Sequence, residues 1–166
     1  MLYDCRTVAD RDRGIEAAID AVKRGDLIVM PTDTLYGLGA DAFKPWAVTA
    51  LLDAKGRDRQ MPPPLDGTVA VRMPLHPVAL EVLRETGPMA VSSANKTGQP
   101  PAITAEEARA QLGFAVSVYL EAGECVDRTP STIVDVTGDV PRLLRAGAIP
   151  LEKLRDVVPS IEGPEE

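Results

Sequence analysis

Histidine and cysteine are scarce: His76 stands alone, and Cys5 and Cys125 are the two cysteines in 166 residues. With no C-x-x-C spacing, that set supplies neither a soft-ligand metal cage nor a disulfide framework. The same scarcity leaves no Ser/His/Asp or Cys/His pairing, since His76 is followed by Pro77 and reads as a helix cap or a surface residue. Aromatic residues make up 4% of the chain and the formal net charge is -7. Both argue against coating nucleic acid or an anionic membrane through bulk electrostatics, although a local basic cleft within an acidic shell stays open. No apolar run approaches the length of a membrane span, and "MLYDCRTVADRDRG" lacks the charged-then-apolar pattern of a secretory signal. The expectation is a cytoplasmic protein with no membrane partner.

What is present is ordinary globular composition, 45% hydrophobic and 26% charged, enough for one core. One domain is expected over 1–158, with 159–166 a frayed tail. "DRDRGIEAAIDAVKRG" sets Ile15, Ala18, Ile19 and Val22 at helical spacing before Gly25, and Leu27–Met30 reads as a short buried strand ended by Pro31. "KPWAVTALLDAKG" is a second helix with Val48, Leu51 and Leu52 inward. "GTVAVRMP" alternates as a strand; a helix from about Pro77 to Glu85, the strand "MAVSSAN" and a Thr104-capped helix follow. "VSVYLEAG" and "STIVDVTG" are further strands, and "PLEKLRDVV" a last short helix. Helix and strand alternate, so the class is α/β, with polar residues gathered on loops at strand ends.

Four polar clusters sit on those loops. "PTDTLYGLGAD" offers the Thr32 and Thr34 hydroxyls, Tyr36 and two glycines, Gly37 and Gly39, that would let a ligand approach the backbone. As a bare stretch it reads more readily as a capped turn than as a site. "KGRDR" places Lys55, Arg57 and Arg59 at a helix C-terminus, suited to a triphosphate or a carboxylate, or simply a solvated cluster at the helix's negative end. Gly56 and the prolines at 62, 63 and 64 stiffen its flanks. "VSSANKTGQPPA" carries Ser92, Ser93 and Asn95 from a strand into a turn, neutral groups able to bind ribose or phosphate oxygens or to serve as plain turn residues. Last, Ser131, Thr132 and Arg145 lie beside apolar strands in "TPSTIVD" and "LLRAGAI".

As an ordered set, "PTDTLYGLGAD", "AKGR", "TVAVRMPLHP", "SSAN" with "GQPPA", "STIVD" and "LLRAGAI" resemble the YrdC/Sua5 family, the threonylcarbamoyl-AMP synthases, over about residues 10–150. The chain is similar to the short, single-domain members. The resemblance implies a twisted mixed sheet with flanking helices and a concave ligand cleft. It implies condensation of L-threonine, bicarbonate and ATP, with Mg²⁺ accompanying the nucleotide, for the t6A modification of tRNA, with tRNA and the proteins of the t6A transferase complex as further partners. By its motifs, Lys55, Arg57, Ser93 and Asn95 inherit the catalytic role. Thr68 and Arg145 join Lys55, Arg57 and Asn95 around ATP, and Thr32, Thr34, Arg72, Ser93 and Ser131 bind threonine.

One departure is large. Between the K-x-R loop and the V-R-x-P strand, family members carry several dozen more residues, whereas this chain has only "DRQMPPPLDG". A segment is therefore missing near residues 65–66, which leaves apolar strand edges to be covered. Two other readings stand beside the synthase: a module binding double-stranded RNA or tRNA, and a truncated paralogue that binds nucleotide without turnover.

Overall fold

The computed structural model describes residues 1–57, 67–125 and 129–163. In chain order these form β1 (Leu2–Asp4), α1 (Val8–Arg24), β2 (Ile28–Met30), β3 (Gly37–Asp41), α2 (Pro45–Ala54), α3 (Pro77–Thr86), β4 (Met89–Ser93), α4 (Ala105–Leu112), β5 (Val118–Glu121), β6 (Ile133–Asp135), β7 (Arg142–Arg145) and α5 (Leu151–Val157). The helices begin and end where local chemistry dictates. The Thr7 hydroxyl caps α1 by accepting the Asp10 amide, and Gly25 closes it in the left-handed region at φ 89°, a conformation that glycine adopts without a Cβ clash. Pro45 and Pro77 open α2 and α3, where a missing amide hydrogen costs nothing.

Five strands make one sheet in the order β1-β5-β2-β3-β4. β1, β5 and β2 run parallel, and β3 is antiparallel to both β2 and β4. Each face is covered by helices. Ala47 and Leu51 of α2, with Ala105, Ala108 and Leu112 of α4, pack on Val29, Leu38 and Tyr119. On the opposite face Ile15, Ala18 and Val22 of α1, with Val78 and Val82 of α3, pack on Ile28, Met30 and Leu120. The twisted mixed sheet between two helical layers is the architecture expected of the sequence. Outside it, β6 and β7 pair as a separate two-stranded sheet.

The path of the chain puts the polar loops together. β2 and β5 are parallel and β4 is antiparallel to β3, so β2, β4 and β5 all end, and β3 begins, at one end of the sheet. The stretches 31–36, 94–99 and 122–125 therefore leave from a common rim, the usual place for a ligand in an open α/β sheet.

Three expectations need correction. The strand read in "GTVAVRMP" is not formed: residues 68–73 have no ladder partner, and Val69 and Val71 are 73% and 87% exposed. Alternation makes a strand only where a neighbour supplies hydrogen bonds and a face to bury, and none of the described residues does so here. Gly37 and Gly39 do not open the backbone to a ligand, for they lie within β3 opposite Ser93 and Val91. A Cβ at these positions would come within 2.9 Å of Val91 Cγ1 and 2.8 Å of Met89 Cε. The glycines make room for the neighbouring strand. Finally, the expected loose tail from 159 is in part ordered: Ile161 is buried, and Glu162 bridges to Arg142 while its carbonyl accepts the Leu143 amide at 3.0 Å.

Candidate active site

The turn after β2 is organised by Thr32. Its hydroxyl donates to the Leu35 carbonyl at 2.6 Å and accepts the amides of Thr34 and Leu35, each at 3.2 Å. This is a self-contained hydroxyl turn by which Thr32 shapes the loop, and Thr32 also lines a cavity with Asp33, His76 and Gly123. The shaping aims Thr34, whose side chain is buried and accepts Arg72 Nη1 at 2.9 Å. The same nitrogen donates to Ser131 Oγ at 2.8 Å. Arg72 Nη2 contacts Asp33 Oδ2 at 2.5 Å, and Asp33 Oδ1 accepts the Leu75 amide at 2.9 Å. Burial works against the Asp33 carboxylate, but the amide and guanidinium hydrogen bonds outweigh it and hold its pKa below the usual aspartate value.

Three residues predicted to bind threonine, Thr34, Arg72 and Ser131, are thus in mutual contact although they come from three distant stretches. Arg145, expected on the nucleotide side, donates to the Ser131 carbonyl through Nε at 3.0 Å and Nη2 at 2.7 Å, which ties it to the backbone that carries Ser131.

The second cluster forms where α2 meets the end of β4. Lys55, the C-cap of α2, is 2% exposed, and its ammonium donates to the carbonyls of Ser93 at 2.6 Å and Asn95 at 2.8 Å. Its own carbonyl accepts the Thr97 amide at 2.9 Å. Burial, and secondarily the nearby Arg57 charge, lower its pKa to about 8. Asn95 is buried; its Nδ2 donates to the Lys96 and Gln99 carbonyls, each at 2.8 Å. Its Oδ1 is buried without a partner. An unmatched acceptor of this kind carries a desolvation cost that a ligand donor would relieve. Ser93, two residues earlier, is half-buried. Arg57 is exposed just past the helix end, and Thr68 is exposed at the start of the unpaired stretch. Arg59 and the prolines at 62, 63 and 64 lie outside the described residues, as does the junction at 65–66.

The two clusters share the sheet rim. Gly37 pairs with Ser93, and the Ala94 amide donates to the Tyr36 carbonyl at 2.9 Å. Beneath them Tyr36, fully buried, places its hydroxyl 2.7 Å from the Gly123 carbonyl and 3.1 Å from Glu121 Oε1, and accepts the Ala122 amide at 3.0 Å. Glu121 Oε2 accepts the Ala105 amide at 2.7 Å. One buried phenol and one buried carboxylate thereby tie the loop after β5 to the start of β3 and the start of α4. Sequence reasoning named Tyr36 only as one polar group of its loop, and it missed Glu121 and Asp33. The visible signals were an isolated acid ending the apolar run "VYLE" and an acid flanked by two threonines.

A guanidinium held by two hydroxyls beside a neutral Ser/Asn loop with an unmatched acceptor is built for a carboxylate and a polar neighbour. The sequence profile of the Sua5/YciO/YrdC family, described as "Telomere recombination", matches in two stretches, 20–66 and 63–147. A Mycobacterium tuberculosis protein named provisionally as a threonylcarbamoyl-AMP synthase is 45% identical, with 94% of each chain covered. That alignment runs over 204 positions against the 166 residues here, so at least 38 positions find no counterpart in this chain. The Bacillus subtilis threonylcarbamoyl-AMP synthase is 28% identical over 91% of this chain and 58% of its own. Among solved structures, Pyrococcus abyssi Sua5 complexed with L-threonine superposes with a TM-score of 0.88 at 28% identity, over 98% of this chain and 62% of that one. This chain thus spans about three fifths of that protein. Escherichia coli YciO, at 20% identity and a TM-score of 0.74 over 92% of this chain and 96% of its own, shares the fold.

Proposed function

The chain belongs to the Sua5/YciO/YrdC family, and we propose that it is a threonylcarbamoyl-AMP synthase, a nucleotidyl-transferring enzyme that condenses L-threonine, bicarbonate and ATP. The observation that carries this reading is the convergence of Thr34, Ser131 and Asp33 on Arg72, at the same rim as Ser93 and Asn95. A solved relative holds L-threonine, and Arg72 offers that amino acid a carboxylate-binding fork. ATP lies along the Ser93–Asn95 loop, with the free Asn95 Oδ1 accepting a donor from it and Arg57 facing its phosphates.

The chemistry asks for positioning and charge stabilisation and for no nucleophilic side chain. The threonine amine adds to the carbon of bicarbonate with loss of water, giving a carbamate. A carbamate oxygen attacks the α-phosphorus of ATP, the bond to the β-phosphate oxygen breaks, and pyrophosphate leaves with that electron pair. Arg72 holds the carboxylate, while Ser93 and Asn95 fix the reacting centre. Lys55 keeps that loop in shape through the two carbonyls it binds. Mg²⁺ enters as part of the MgATP substrate, as it is commonly bound through substrate phosphates. The product would feed the t6A modification of tRNA in the cytoplasm. Among the described residues no helix is long and apolar enough to cross a membrane.

The break in the family match at 63–66 favours a second reading, a form that binds nucleotide without turnover. Pyrophosphate release decides between them. The synthase releases it only when L-threonine and bicarbonate are both present, with threonylcarbamoyl-AMP detected by mass. ATP binding with no such release supports the second reading, and threonine-independent release overturns the first.

A further inference from the structure

Among the acids at the cleft, Asp33 has an unusual pair of contacts. One carboxylate oxygen binds the Arg72 guanidinium, and the other binds the main-chain amide of Leu75, three residues further along the same segment. That segment has little else to fix it. It pairs with no described strand, and Val69, Val71, Met73 and Leu75 are between 73% and 87% exposed. Pro74 is its one buried residue. A guanidinium on such a stretch would sample many orientations, and ordering it only when substrate arrives would weaken binding.

We propose that Asp33 is a positioning residue for threonine recognition: it pre-orients Arg72 and pins the backbone that carries it. The inference rests on the threonine site proposed above. Arg72 has five N–H donors. Nη1 serves Thr34 and Ser131 and one Nη2 hydrogen serves Asp33. The Nε hydrogen has no partner among the described residues and Nη2 keeps a second hydrogen, so the guanidinium retains donors for an incoming carboxylate. Asp33 thus leaves donors of the guanidinium for the substrate, and it offsets part of its positive charge.

A residue acting on the threonine amine itself would govern the chemical step; one acting through Arg72 governs threonine affinity. Steady-state constants for Asp33→Asn, Arg72→Gln and the double variant separate these roles, with thermal unfolding confirming that each is folded. Asparagine keeps the size and can still accept the Leu75 amide, so the fold is retained. Asp33→Asn is expected to raise KM for threonine about tenfold, the scale of a lost charge-assisted contact, with KM for ATP changed by less than about twofold. In the Arg72→Gln background the same substitution should add less than about twofold, because residues that act as one unit are non-additive. Equal rises in both KM values, a fall in kcat alone, or full additivity overturns the inference. Threonine-dependent turnover with unchanged KM in Asp33→Asn overturns it while leaving the synthase standing. Absence of both turnover and threonine-induced thermal stabilisation in the unsubstituted protein overturns the functional reading and this inference with it.

Discussion

Lys55 shows where residue identity and residue role part. From the sequence it is a cation in "KGRDR" ready for phosphate; in the fold its ammonium is buried on two backbone carbonyls with no carboxylate partner among the described residues. The local sequence carries no sign of this, because the carbonyls come from a turn some forty residues away. Burial of an uncompensated ammonium has a measurable signature. Its folded pKa of about 8 lies below the unfolded value near 10.5, so between these the unfolded chain binds the extra proton. By linkage this group's contribution makes stability rise with pH through that window, where the cost of burying the charge is relieved. Urea unfolding at pH 7.5 and 9.5 should therefore show a relative gain for the parent that Lys55→Met lacks. An identical pH dependence in the two proteins would show that Lys55 is not held as described. Asn95 was legible as a site residue by type and position at a strand end, and its unmatched Oδ1 adds a separate expectation. Asn95→Ala should lower turnover by roughly tenfold or more through lost positioning, and it should also cost stability, because the Lys96 and Gln99 carbonyls lose the donor that Nδ2 supplies, a loss only partly offset by removal of the unpaired acceptor. Parallel measurement of product formation and thermal midpoint tests both halves.

At the scale of elements, the helices were readable and the strands only in part. α1, α3 and α4 announce themselves by apolar spacing, caps and terminal glycines, all local signals. β3 is invisible to the same reading because two of its five residues are glycine, a poor strand former. Those glycines are there for the partner strand, which a single strand's sequence does not display. Gly147 is a sharper case. A Cβ there would lie 2.3 Å from the Pro130 carbonyl oxygen and 2.4 Å from the Thr132 nitrogen, so the stretch after β7 passes against the backbone that carries Ser131. Backbone does not yield as a side-chain tip does. Gly147→Ala is expected to destabilise by about 1–3 kcal/mol and to raise KM for threonine through displacement of Ser131. Gly39→Ala makes a useful contrast, since the nearest obstacle is the flexible end of Met89, which can move aside. Its thermal midpoint and KM should stay close to the parent's. Comparable losses in the two variants would remove the distinction drawn between backbone and side-chain obstruction.

For the whole molecule, the order of polar motifs was readable and so was the gap among them, yet the effect of the gap appears only in three dimensions. The family match breaks off and resumes at 63–66, while the remaining chain superposes on Pyrococcus abyssi Sua5 over 98% of its length. The fold is thus kept, and what changes is its cover. Just after the break, Val69, Val71, Met73 and Leu75 alternate along one extended stretch and are all largely exposed, while Arg72 turns the other way into the site. The row is therefore not a strand read with the wrong face: its inner side is used, and its outer side presents apolar groups to water. A contiguous apolar patch of this kind favours association between molecules. The net charge of -7 opposes that association over the surface at large, but the exposed row itself carries no charge. Light scattering across a concentration series should show self-association that weakens in Val71→Lys/Met73→Lys. Because both side chains are already exposed and contribute little burial, the thermal midpoint of the dilute protein should move by no more than about 0.5 kcal/mol in stability terms. Strong loss of stability on this substitution would mean that the row is covered within the molecule, and unchanged scattering would mean that association, where it occurs, uses another face.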